Sequence, residues 1–271
     1  MLDQKIWFIT GASRGFGRLW AEAALARGDK VAATARRPKT LDDLVAAYGD
    51  AVLPLRLDVD DRDAVFAAVN LAHQHFGRLD VILSNAGYGL VGAIEETSPD
   101  DARAIFETNV LGTLSVIQAA LPLLRAQRSG HILAVSSVGG QVTFPMGGLY
   151  QATKFAVEGL AQTLAQEVAE FGIKVTLIEP APFATDFMSE ASMKHATPIA
   201  EYGPARQRLF AHFVPEMFGD PATTVDALLQ VVDADEPPLH LLLGPLLPMI
   251  RQVYEGRLAS WEQWAAVSNP A

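Results

Sequence analysis

Of the 271 residues in the chain, half are apolar, the formal net charge is −10, and cysteine does not occur. This apolar fraction is sufficient for one large core, at a length near the upper limit for a single domain. The acidic charge argues against a nucleic-acid partner, because phosphate backbones bind basic surfaces. The composition also excludes disulfides, thiolate nucleophiles and cysteine-ligated metals, and it favours a reducing cytoplasm as the location.

The N-terminus lacks the apolar segment of a signal peptide, and no apolar run approaches the ~20 residues that a membrane-crossing helix needs. We therefore expect no membrane span. The histidines are scattered, and His73 and His75 point to different faces of a helix because they lie two residues apart. The sequence thus predicts no metal site.

Residues 5–37 contain the most informative pattern of the chain. Residues 5–10 form a short apolar run that is typical of a buried strand, and Gly11, Gly15 and Gly17 follow it. Glycines permit a tight turn and leave no side chain between the backbone and a ligand. The next segment predicts a helix that ends at Gly28, and residues 31–35 predict a second strand. Because a helix N-terminus favours phosphate, this unit predicts a dinucleotide site.

Two alternatives compete with this interpretation of the glycine turn. Many tight turns use glycine without binding anything, although the flanking strands and helix make a purely structural turn a weaker explanation. A P-loop is excluded because no Gly-Lys-Ser/Thr follows, and the spacing Gly-x-x-x-Gly-x-Gly differs from the commoner Gly-x-Gly-x-x-Gly fingerprint.

Strand and helix patterns alternate along the rest of the chain. Strands are predicted at residues 52–57, 79–84, 131–136, 174–178 and 239–243, and helices at 41–48, 60–76, 98–127, 150–171, after 220 and over the last ~25 residues. Alternation of this kind predicts an α/β fold: a single-domain, Rossmann-like, doubly wound parallel sheet of about seven strands with helices on both faces. We expect one domain over residues 1–271.

Ligands of such sheets bind beyond the carboxyl ends of the strands, where the strand order reverses. We therefore expect one crevice to be lined by the residues that follow the strands: 11–17, Arg36, Asp58, 85–87, Ser137 and 180–185.

The alternation lapses in residues 183–219, which are irregular but rich in apolar side chains. We interpret this segment as a substrate-binding lid, since long irregular insertions are usually lids or binding loops. A packed excursion that completes the core is the alternative. Its apolar residues are Phe183, Phe187, Met188, Met193, Ile199, Tyr202, Leu209, Phe210 and Phe213, with a possible late helix over residues 205–213.

Ser137, Tyr150 and Lys154 carry the predicted chemistry. Tyr150 and Lys154 are four residues apart at a helix start, so both face the same way. A free tyrosine titrates near pH ~10, and a neighbouring ammonium is expected to lower that pKa. A serine hydroxyl can hold a substrate oxygen against the phenol, so the set suits proton transfer beside a nicotinamide. On its own, a tyrosine and a lysine four apart on a helix is usually an ordinary surface pair.

Over residues 5–185 the chain resembles the short-chain dehydrogenase/reductase family, in its shorter single-domain branch. The resemblance rests on residues 10–17, on Asn85-Ala86-Gly87, on Asp58-Val59, and on Asn109, Ser137, Tyr150 and Lys154, with Ser137 thirteen residues before Tyr150. It implies that Tyr150 is the acid and base, that Lys154 holds the ribose and tunes Tyr150, that Ser137 positions the carbonyl, and that Asn109 holds a proton-relay water.

The expected cofactor contacts combine the glycine loop with this resemblance. They are Gly11, Ser13, Arg14, Gly15, Phe16, Gly17, Arg36, Arg37, Asp58, Val59, Asn85, Ala86, Gly87, Tyr150, Lys154, Pro180 and Thr185. The expected substrate contacts are Ser137, Tyr150, Phe183, Phe187 and Met188. The chain departs from the family at Pro180-Ala181-Pro182, where Pro-Gly is usual, and at Ser84, where a second asparagine often occurs.

The cofactor is expected to be NADP(H). An NAD-selective fold has an acid about twenty residues beyond the glycine loop, and Arg37 occupies that distance from Gly17. Arg36 and Arg14 add two further positive charges, so we expect three arginines near the 2′-phosphate.

Three functions fit the sequence to different degrees. An NADP(H)-dependent oxidoreductase that acts on a carbonyl or alcohol explains Asn109, Ser137, Tyr150 and Lys154 together. An NADP-binding regulatory or sensor protein has no physical need for all four, and a sugar-nucleotide epimerase or dehydratase generally has a larger C-terminal substrate domain. The resemblance also implies a homodimer or homotetramer, and the helices over residues 102–127 and 151–171 agree with this because they are apolar on more than one face.

Overall fold

The structure is a computed structural model that describes residues 4–212 and 214–269. Its main sheet has seven parallel strands in the order β3-β2-β1-β4-β6-β7-β9. These strands are β1 (Ile6–Ile9), β2 (Lys30–Ala35), β3 (Val52–Arg56), β4 (Val81–Ser84), β6 (Gly130–Val135), β7 (Ile173–Pro180) and β9 (His240–Leu243). The predicted strand number and the parallel arrangement are confirmed.

Helices cover both faces of this sheet, as the fold class requires. They are α1 (Gly15–Ala26), α2 (Asp42–Tyr48), α3 (Arg62–Phe76), α4 (Pro99–Phe106), α5 (Thr113–Gln127), α6 (Gly148–Val168), α7 (Gly203–His212), α8 (Val225–Asp233), α9 (Leu247–Gln263) and α10 (Ala265–Ser268). Apolar residues of α3, α5 and α6 pack into one core cluster, and those of α1, α2 and α8 pack into the other.

The central strand β1 shows why the strand sequences are apolar without alternation. Ile6 and Phe8 belong to the first core cluster, whereas Trp7 and Ile9 belong to the second. All four side chains are buried because each face of the strand meets a layer of helices. At the edge of the sheet, β3 tolerates Pro54 because an edge strand can lack one N–H donor.

The strand order reverses between β1 and β4. From β1 the chain proceeds outward through β2 and β3, and β4 returns to the other side of β1 before β6, β7 and β9 extend the sheet. The residues that follow β1, β4 and β6 therefore meet at one crevice, which is where ligands of open parallel sheets bind.

The predicted helix over residues 98–127 is present, but it contains a π-helical turn. Ser98 begins it as a capping box, in which its hydroxyl oxygen accepts from the N–H of Asp101 over 3.0 Å. The π-helical turn Glu107–Gly112 separates α4 from α5 and contains Asn109. Such turns occur frequently at functional sites, and the sequence pattern did not predict this one.

Among the described residues, one stretch, Pro99–Gln127, is a candidate for crossing a membrane by length and composition alone. It has the length and the mean hydropathy, 1.3, of a membrane-crossing helix. In the fold, 56% of its most apolar window is buried inside the protein. The apolar composition of this stretch is thus accounted for by packing against the sheet through α5.

Residues 183–219 contain more regular structure than their sequence indicated. The strand β8 (Met193–His195) pairs in parallel with β5 (Gly89–Val91), which forms a second, two-stranded sheet. The helix α7 (Gly203–His212) follows, close to the predicted late helix. Phe213, one of the apolar residues of the predicted lid, lies outside the described residues.

Candidate active site

The glycine loop connects β1 to α1 by close backbone packing. A Cβ atom on Gly17 would lie 2.4 Å from the carbonyl oxygen of Gly11, so only glycine fits there. Gly11 and Gly15 adopt positive φ angles of 68° and 56°, which disfavour other residues. The cap of α1 is Arg14, whose side chain does not cap the helix, and the first turn contains no acidic residue. These features match a phosphate site at a helix N-terminus.

Two other predicted cofactor contacts, Phe16 and Thr185, have different surroundings near the glycine loop. The ring of Phe16 stacks on Trp20 at a centroid distance of 4.6 Å, so this side chain serves packing. Thr185 lies over the loop, because its Cβ is 3.8 Å from where a Cβ of Gly15 would be. The residue that the family resemblance associates with the nicotinamide amide is therefore next to the glycine turn. Ser13 is partly exposed within the loop.

Asn85 ties the end of β4 to the end of β1. Its amide Nδ2 donates to the carbonyl oxygens of Thr10, over 2.9 Å, and of Gly11, over 3.3 Å. The hydroxyl of Thr10 in turn accepts from the N–H groups of Asn85 and Ala86. Gly87 follows, with a Cβ position 3.0 Å from Oδ1 of Asn109. This motif therefore holds the two sides of the crevice at a fixed separation.

The residues after β3 flank the same edge of the sheet. Val59 is buried against Gly112 of the π-helical turn, where a Cβ atom would lie 2.8 Å from its Cγ2. Asp58 is exposed, so its carboxylate is available to a ligand. The exposed carboxylate of Asp58 is thus free to make the cofactor contact that the sequence predicts.

A basic cavity of about 680 Å³ opens beside the end of β2. Arg36 and Arg37 line it as predicted, and Lys39 and Arg56 add two positive charges that the sequence analysis missed. Arg56 ends the edge strand β3 beside Ala35, and this pairing follows only from the strand register. Four cations around one cavity suit a doubly charged phosphate group.

The position of Arg14 corrects the expectation of three arginines around one phosphate. Its guanidinium donates to the carbonyl oxygen of Ala191 over 2.9 Å, and Arg14 does not line the basic cavity. The side chain instead connects the glycine loop to residues 183–219.

Ser137 and Tyr150 come together at the end of β6. The two hydroxyls share a hydrogen bond, and the hydroxyl oxygen of Ser137 also accepts from the N–H of Gly139 over 3.0 Å. A Cβ atom on Gly139 would lie 3.5 Å from Ser137 Oγ and 3.6 Å from the Tyr150 ring, so this turn borders both side chains.

Lys154 lies one helical turn after Tyr150, and its side chain is almost completely buried, at 6% exposure. Its Nζ is 5.7 Å from the centre of the Tyr150 ring and donates to the carbonyl oxygen of Val135 over 2.8 Å. This hydrogen bond fixes the ammonium at the carboxyl end of β6.

The pKa values differ from the sequence-based expectation. Burial raises the pKa of Tyr150 to about 12, and the hydrogen bond with Ser137 only partly opposes that shift. Burial also lowers the pKa of Lys154 to about 8. In the chain alone, desolvation therefore outweighs the neighbouring ammonium, and Tyr150 is protonated at neutral pH.

The side chain of Asn109 makes three hydrogen bonds to protein partners. Its Oδ1 accepts from the N–H of Tyr88, and its Nδ2 donates to the carbonyl oxygen of Tyr88 and to the hydroxyl of Thr153. The Asn109 side chain therefore positions the loop around Tyr88. The backbone carbonyl of Asn109 accepts from the hydroxyl of Thr113 over 3.0 Å, and the water-holding role that the resemblance implies for this residue stays a prediction.

The three predicted apolar substrate contacts have different surroundings. The ring of Phe187 lies 5.6 Å from that of Tyr150, so this residue reaches the site. Phe183 is buried against Phe16 in the core and does not face the crevice, which corrects that prediction. Met188 is 42% exposed.

Pro180, a predicted cofactor contact, ends β7 opposite Leu243 of β9, at the rim of the sheet.

Comparisons with known proteins agree with this geometry. The family model described as short chain dehydrogenase matches residues 5–196. Oxidoreductase BOA17 of Botryotinia fuckeliana is 44% identical over 270 residues, which cover 97% of this chain and 98% of that protein. The 3-ketodihydrosphingosine reductase of Bacteroides thetaiotaomicron is 33% identical over 96% of this chain and 94% of its own length.

Solved structures extend the similarity to the whole fold. A short-chain dehydrogenase from Streptomyces avermitilis superposes with a TM-score of 0.90 and 39% identity, over 99% of this chain and 98% of that one. A short chain dehydrogenase/reductase from Burkholderia phymatum, in complex with NAD, gives a TM-score of 0.82 at 27% identity, over 95% of each chain. ElxO with NADP bound gives 0.75 at 27% identity, over 89% of this chain and 96% of that one.

Proposed function

The chain belongs to the short chain dehydrogenase family, and from this premise we propose that it is an NADP(H)-dependent oxidoreductase. The reaction interconverts a carbonyl group and a secondary or primary alcohol on a mainly apolar small molecule. The observation that carries the proposal is the meeting of Ser137, Tyr150 and Lys154 beside the glycine loop. A sensor that only binds a dinucleotide would not need a hydroxyl pair aimed at one point of the crevice.

Each side chain has a task in this reaction. The nicotinamide, when bound, supplies or accepts the hydride. The Tyr150 hydroxyl gives its proton to the substrate oxygen during reduction and takes a proton back during oxidation. The Ser137 hydroxyl holds that oxygen. Lys154 provides a positive charge and donors for a ribose, at a place where burial makes each charge-assisted hydrogen bond stronger.

The tyrosine pKa of about 12 in the chain alone suits a proton donor better than a proton acceptor. Reduction of a carbonyl needs the protonated phenol, which is the state present at neutral pH. Oxidation of an alcohol needs the phenolate, so this direction requires additional positive charge near the ring or a higher pH.

The selectivity for NADP(H) rests on the basic cavity. Relatives of this fold hold either NAD or NADP, so the fold itself does not decide between them. Arg36, Arg37, Lys39 and Arg56 offer four positive charges beside the end of β2, where NAD-selective folds place an acid. Their charges complement a 2′-phosphate in a chain that is otherwise acidic.

The substrate class follows from the residues that surround Tyr150. Phe187 lies against the Tyr150 ring, and Met193 fills the space beside Gly89, where a Cβ atom would lie 2.5 Å from its sulfur. Aromatic and thioether groups adapt to apolar molecules of irregular shape. A relative named 3-ketodihydrosphingosine reductase fits the reduction of a keto group on such a molecule.

Residues 183–219 cover the site as a lid in this proposal. Mobility without ligands and order with cofactor and substrate are expected of such segments. Hydrogen exchange tests this: NADPH together with a substrate should slow exchange in residues 183–219. Protection equal to that of α6 in the apo protein, unchanged by the ligands, would show a fixed part of the core instead.

A substrate panel tests the proposed reaction. Apolar ketones and aldehydes, including long-chain, aromatic and polycyclic compounds, are mixed with the protein and NADPH while the absorbance of NADPH is followed. We expect loss of NADPH with at least one compound and recovery of the matching alcohol. If every compound of the panel leaves NADPH unchanged while NADPH binds tightly, the sensor function is the better conclusion.

A further inference from the structure

Glu158, Glu179 and His240 form a second cluster of ionisable groups that the proposed reaction does not use. Glu158 lies on α6 four residues after Lys154, Glu179 lies near the end of β7, and His240 begins β9. The Nδ1 atom of His240 is 2.6 Å from Oε1 of Glu179 and 3.6 Å from Oε2 of Glu158. One ligand atom from each of the three residues lies within 4.8 Å of the others.

Both carboxylates are buried, and the Lys154 ammonium acts on Glu158 from one helical turn away without forming an ion pair with it. Glu158 and Glu179 are each only 3% exposed. Within the part of the chain that the structure describes, no lysine or arginine forms an ion pair with either one, and His240 is their shared basic neighbour. Burial raises the pKa of both carboxyl groups. Two buried carboxylates need a compensating charge, which a proton or a bound cation can supply.

Two buried oxygen atoms of low hydrogen-bond occupancy lie in the same cluster. Among the described residues, Glu158 Oε1 and Ser136 Oγ are buried without a hydrogen-bond partner of good geometry. Ser136 is 2% exposed, and its Oγ lies 2.7 Å from the Cβ position of Gly140, from which Glu158 Oε1 is 3.1 Å away. The Ser136 hydroxyl is close enough to act as one partner of the Glu158 carboxylate, and the carboxylate keeps acceptor capacity for a second partner, which a bound cation would supply.

We propose that Glu158, Glu179 and His240 bind one divalent transition-metal ion, for which Zn²⁺ is the representative probe. An imidazole with two carboxylates is a donor set that zinc accepts, at ligand distances of roughly 2.0–2.2 Å. Such distances correspond to ligand separations of about 3–4 Å in a tetrahedral or five-coordinate site. The 3.6 Å separation between His240 and Glu158 already fits, and the 2.6 Å separation between His240 and Glu179 would have to open by roughly 0.4–1.4 Å.

The expected ion is a transition metal rather than Mg²⁺, because Mg²⁺ prefers an octahedral set of oxygen ligands. His240 is the exposed ligand, with 43% of its side chain accessible, so an ion can enter from solvent and keep a water ligand. Three protein ligands and an open position distinguish this arrangement from a closed structural site.

Metal binding here would stabilise the wall of the active site. The ligands join α6, β7 and β9, and Glu179 also accepts a hydrogen bond from Gln141 Nε2 over 3.0 Å. Gln141 follows the turn after Ser137, and its Oε1 accepts from the hydroxyl of Tyr254 on α9 over 2.6 Å. These hydrogen bonds thus connect the proposed metal site to the turn that follows Ser137 and to α9.

Isothermal titration of the metal-stripped protein with Zn²⁺ tests the proposal, with Mg²⁺ as the comparison. We expect one bound Zn²⁺ per chain, a rise in the melting temperature on binding, and no response to Mg²⁺. His240→Gln and Glu179→Gln should each weaken Zn²⁺ binding by more than the ~10–100-fold that loss of an outer-shell partner costs, or abolish it. His75→Gln, which replaces an exposed histidine of α3, is the matched control and should bind as the wild type does.

The results of these titrations show whether the charge of the buried carboxylates is compensated by a metal ion or only by a shared proton. His240 is partly exposed, so His240→Gln is expected to fold, which circular dichroism checks. If the wild type binds no Zn²⁺, or if His240→Gln binds it as tightly as the wild type and His75→Gln do, the metal site does not exist. The result is independent of turnover and of NADPH binding, so it does not depend on the proposed reaction.

Discussion

Arg36 directly follows β2 and places a positive charge where a chain that selects NAD would have a carboxylate. The side chain is exposed and lines the basic cavity, so it is free to contact a 2′-phosphate. A charge-assisted hydrogen bond of this type contributes ~1.5–3 kcal/mol. The arginine is therefore the residue at which cofactor preference is most sensitive to substitution.

We predict that Arg36→Asp shifts the preference from NADPH toward NADH. The substitution removes one contact to the phosphate and introduces repulsion, so affinity for NADPH should fall ~10–150-fold, which corresponds to the same energy range. Fluorescence titration with both cofactors measures the change. Arg103→Asp, at an exposed arginine of α4, is the control and should leave both dissociation constants unaltered. Equal affinity of the wild type for NADH and NADPH would contradict the assignment.

Some residues of the cofactor and substrate regions could be predicted from the sequence, and others could not, for physical reasons. Arg36 and Arg37 were predictable because they follow an apolar strand directly. Arg56 was not, since it approaches the cavity only through the register between β2 and β3. Phe183 was misassigned because its position after a strand does not reveal that its ring turns toward Phe16.

Among the elements, the segment 183–219 is tied to the rest of the protein by a small set of contacts. The side chain of Glu96 is buried, forms an ion pair with Arg206 of α7, and accepts from the N–H of Ile199 over 2.7 Å. Tyr202 donates to Glu95 over 2.7 Å. These contacts hold α7 and the preceding turn against the loop before α4, so they determine how readily the proposed lid opens.

We predict that the contribution of Glu96 to stability depends on pH with a definite sign. The hydrogen bond from Arg206 lowers the pKa of Glu96 from 4.5 to about 2. Because the folded-state pKa is depressed, the stabilisation is complete above the unfolded-state value and disappears as the pH falls through about 2. The difference in free energy of unfolding between the wild type and Glu96→Gln should thus be constant near neutrality and shrink below pH 4.5.

Urea unfolding of both proteins across the acidic range measures this difference. Glu201→Gln, at an exposed glutamate of the same segment, should show no comparable trend. A wild-type advantage that persists unchanged at pH ~2–3 would mean that the carboxylate charge is not what ties the segment down.

The elements differ in how much local sequence reveals them. The helix over residues 98–127 was predictable because Ser98, Pro99 and Asp101 form a start signal that acts locally. The pair β5 and β8 was not, because each strand has three residues and the partners are separated by about a hundred positions. Glu158, Glu179 and His240 likewise become neighbours only when α6, β7 and β9 pack together.

At the scale of the whole molecule, the exposed apolar residues bear on the proposed homodimer or homotetramer. Ala119, Ala120, Leu124 and Leu164 are buried within one chain, so they do not require a partner. Leu123, Phe155 and Leu160 remain partly exposed on α5 and α6. On α9 and after it, Trp261 and Trp264 are 64% and 58% exposed. We propose that these exposed apolar residues contribute to contacts between copies of the chain.

We predict that the protein sediments as a dimer or tetramer at micromolar concentration, rather than as a 29.1 kDa monomer. Leu123→Glu places a charge on the proposed face of α5 and should shift the distribution toward smaller species. Leu71→Glu, at an exposed leucine of α3, is the control for a general effect of added charge. Sedimentation of the wild type as a monomer would refute the association.

The most direct test of the account compares Tyr150→Phe and Lys154→Ala with the wild type, using the compound that the substrate panel identifies. Loss of the Tyr150 hydroxyl should lower turnover by at least ~10²–10⁴-fold, the contribution of a positioned proton donor, while the dissociation constant for NADPH stays near the wild-type value. Lys154→Ala should lose both turnover and NADPH affinity, because its ammonium serves the ribose as well as the phenol. Wild-type turnover in Tyr150→Phe would contradict the central claim that this hydroxyl transfers the proton.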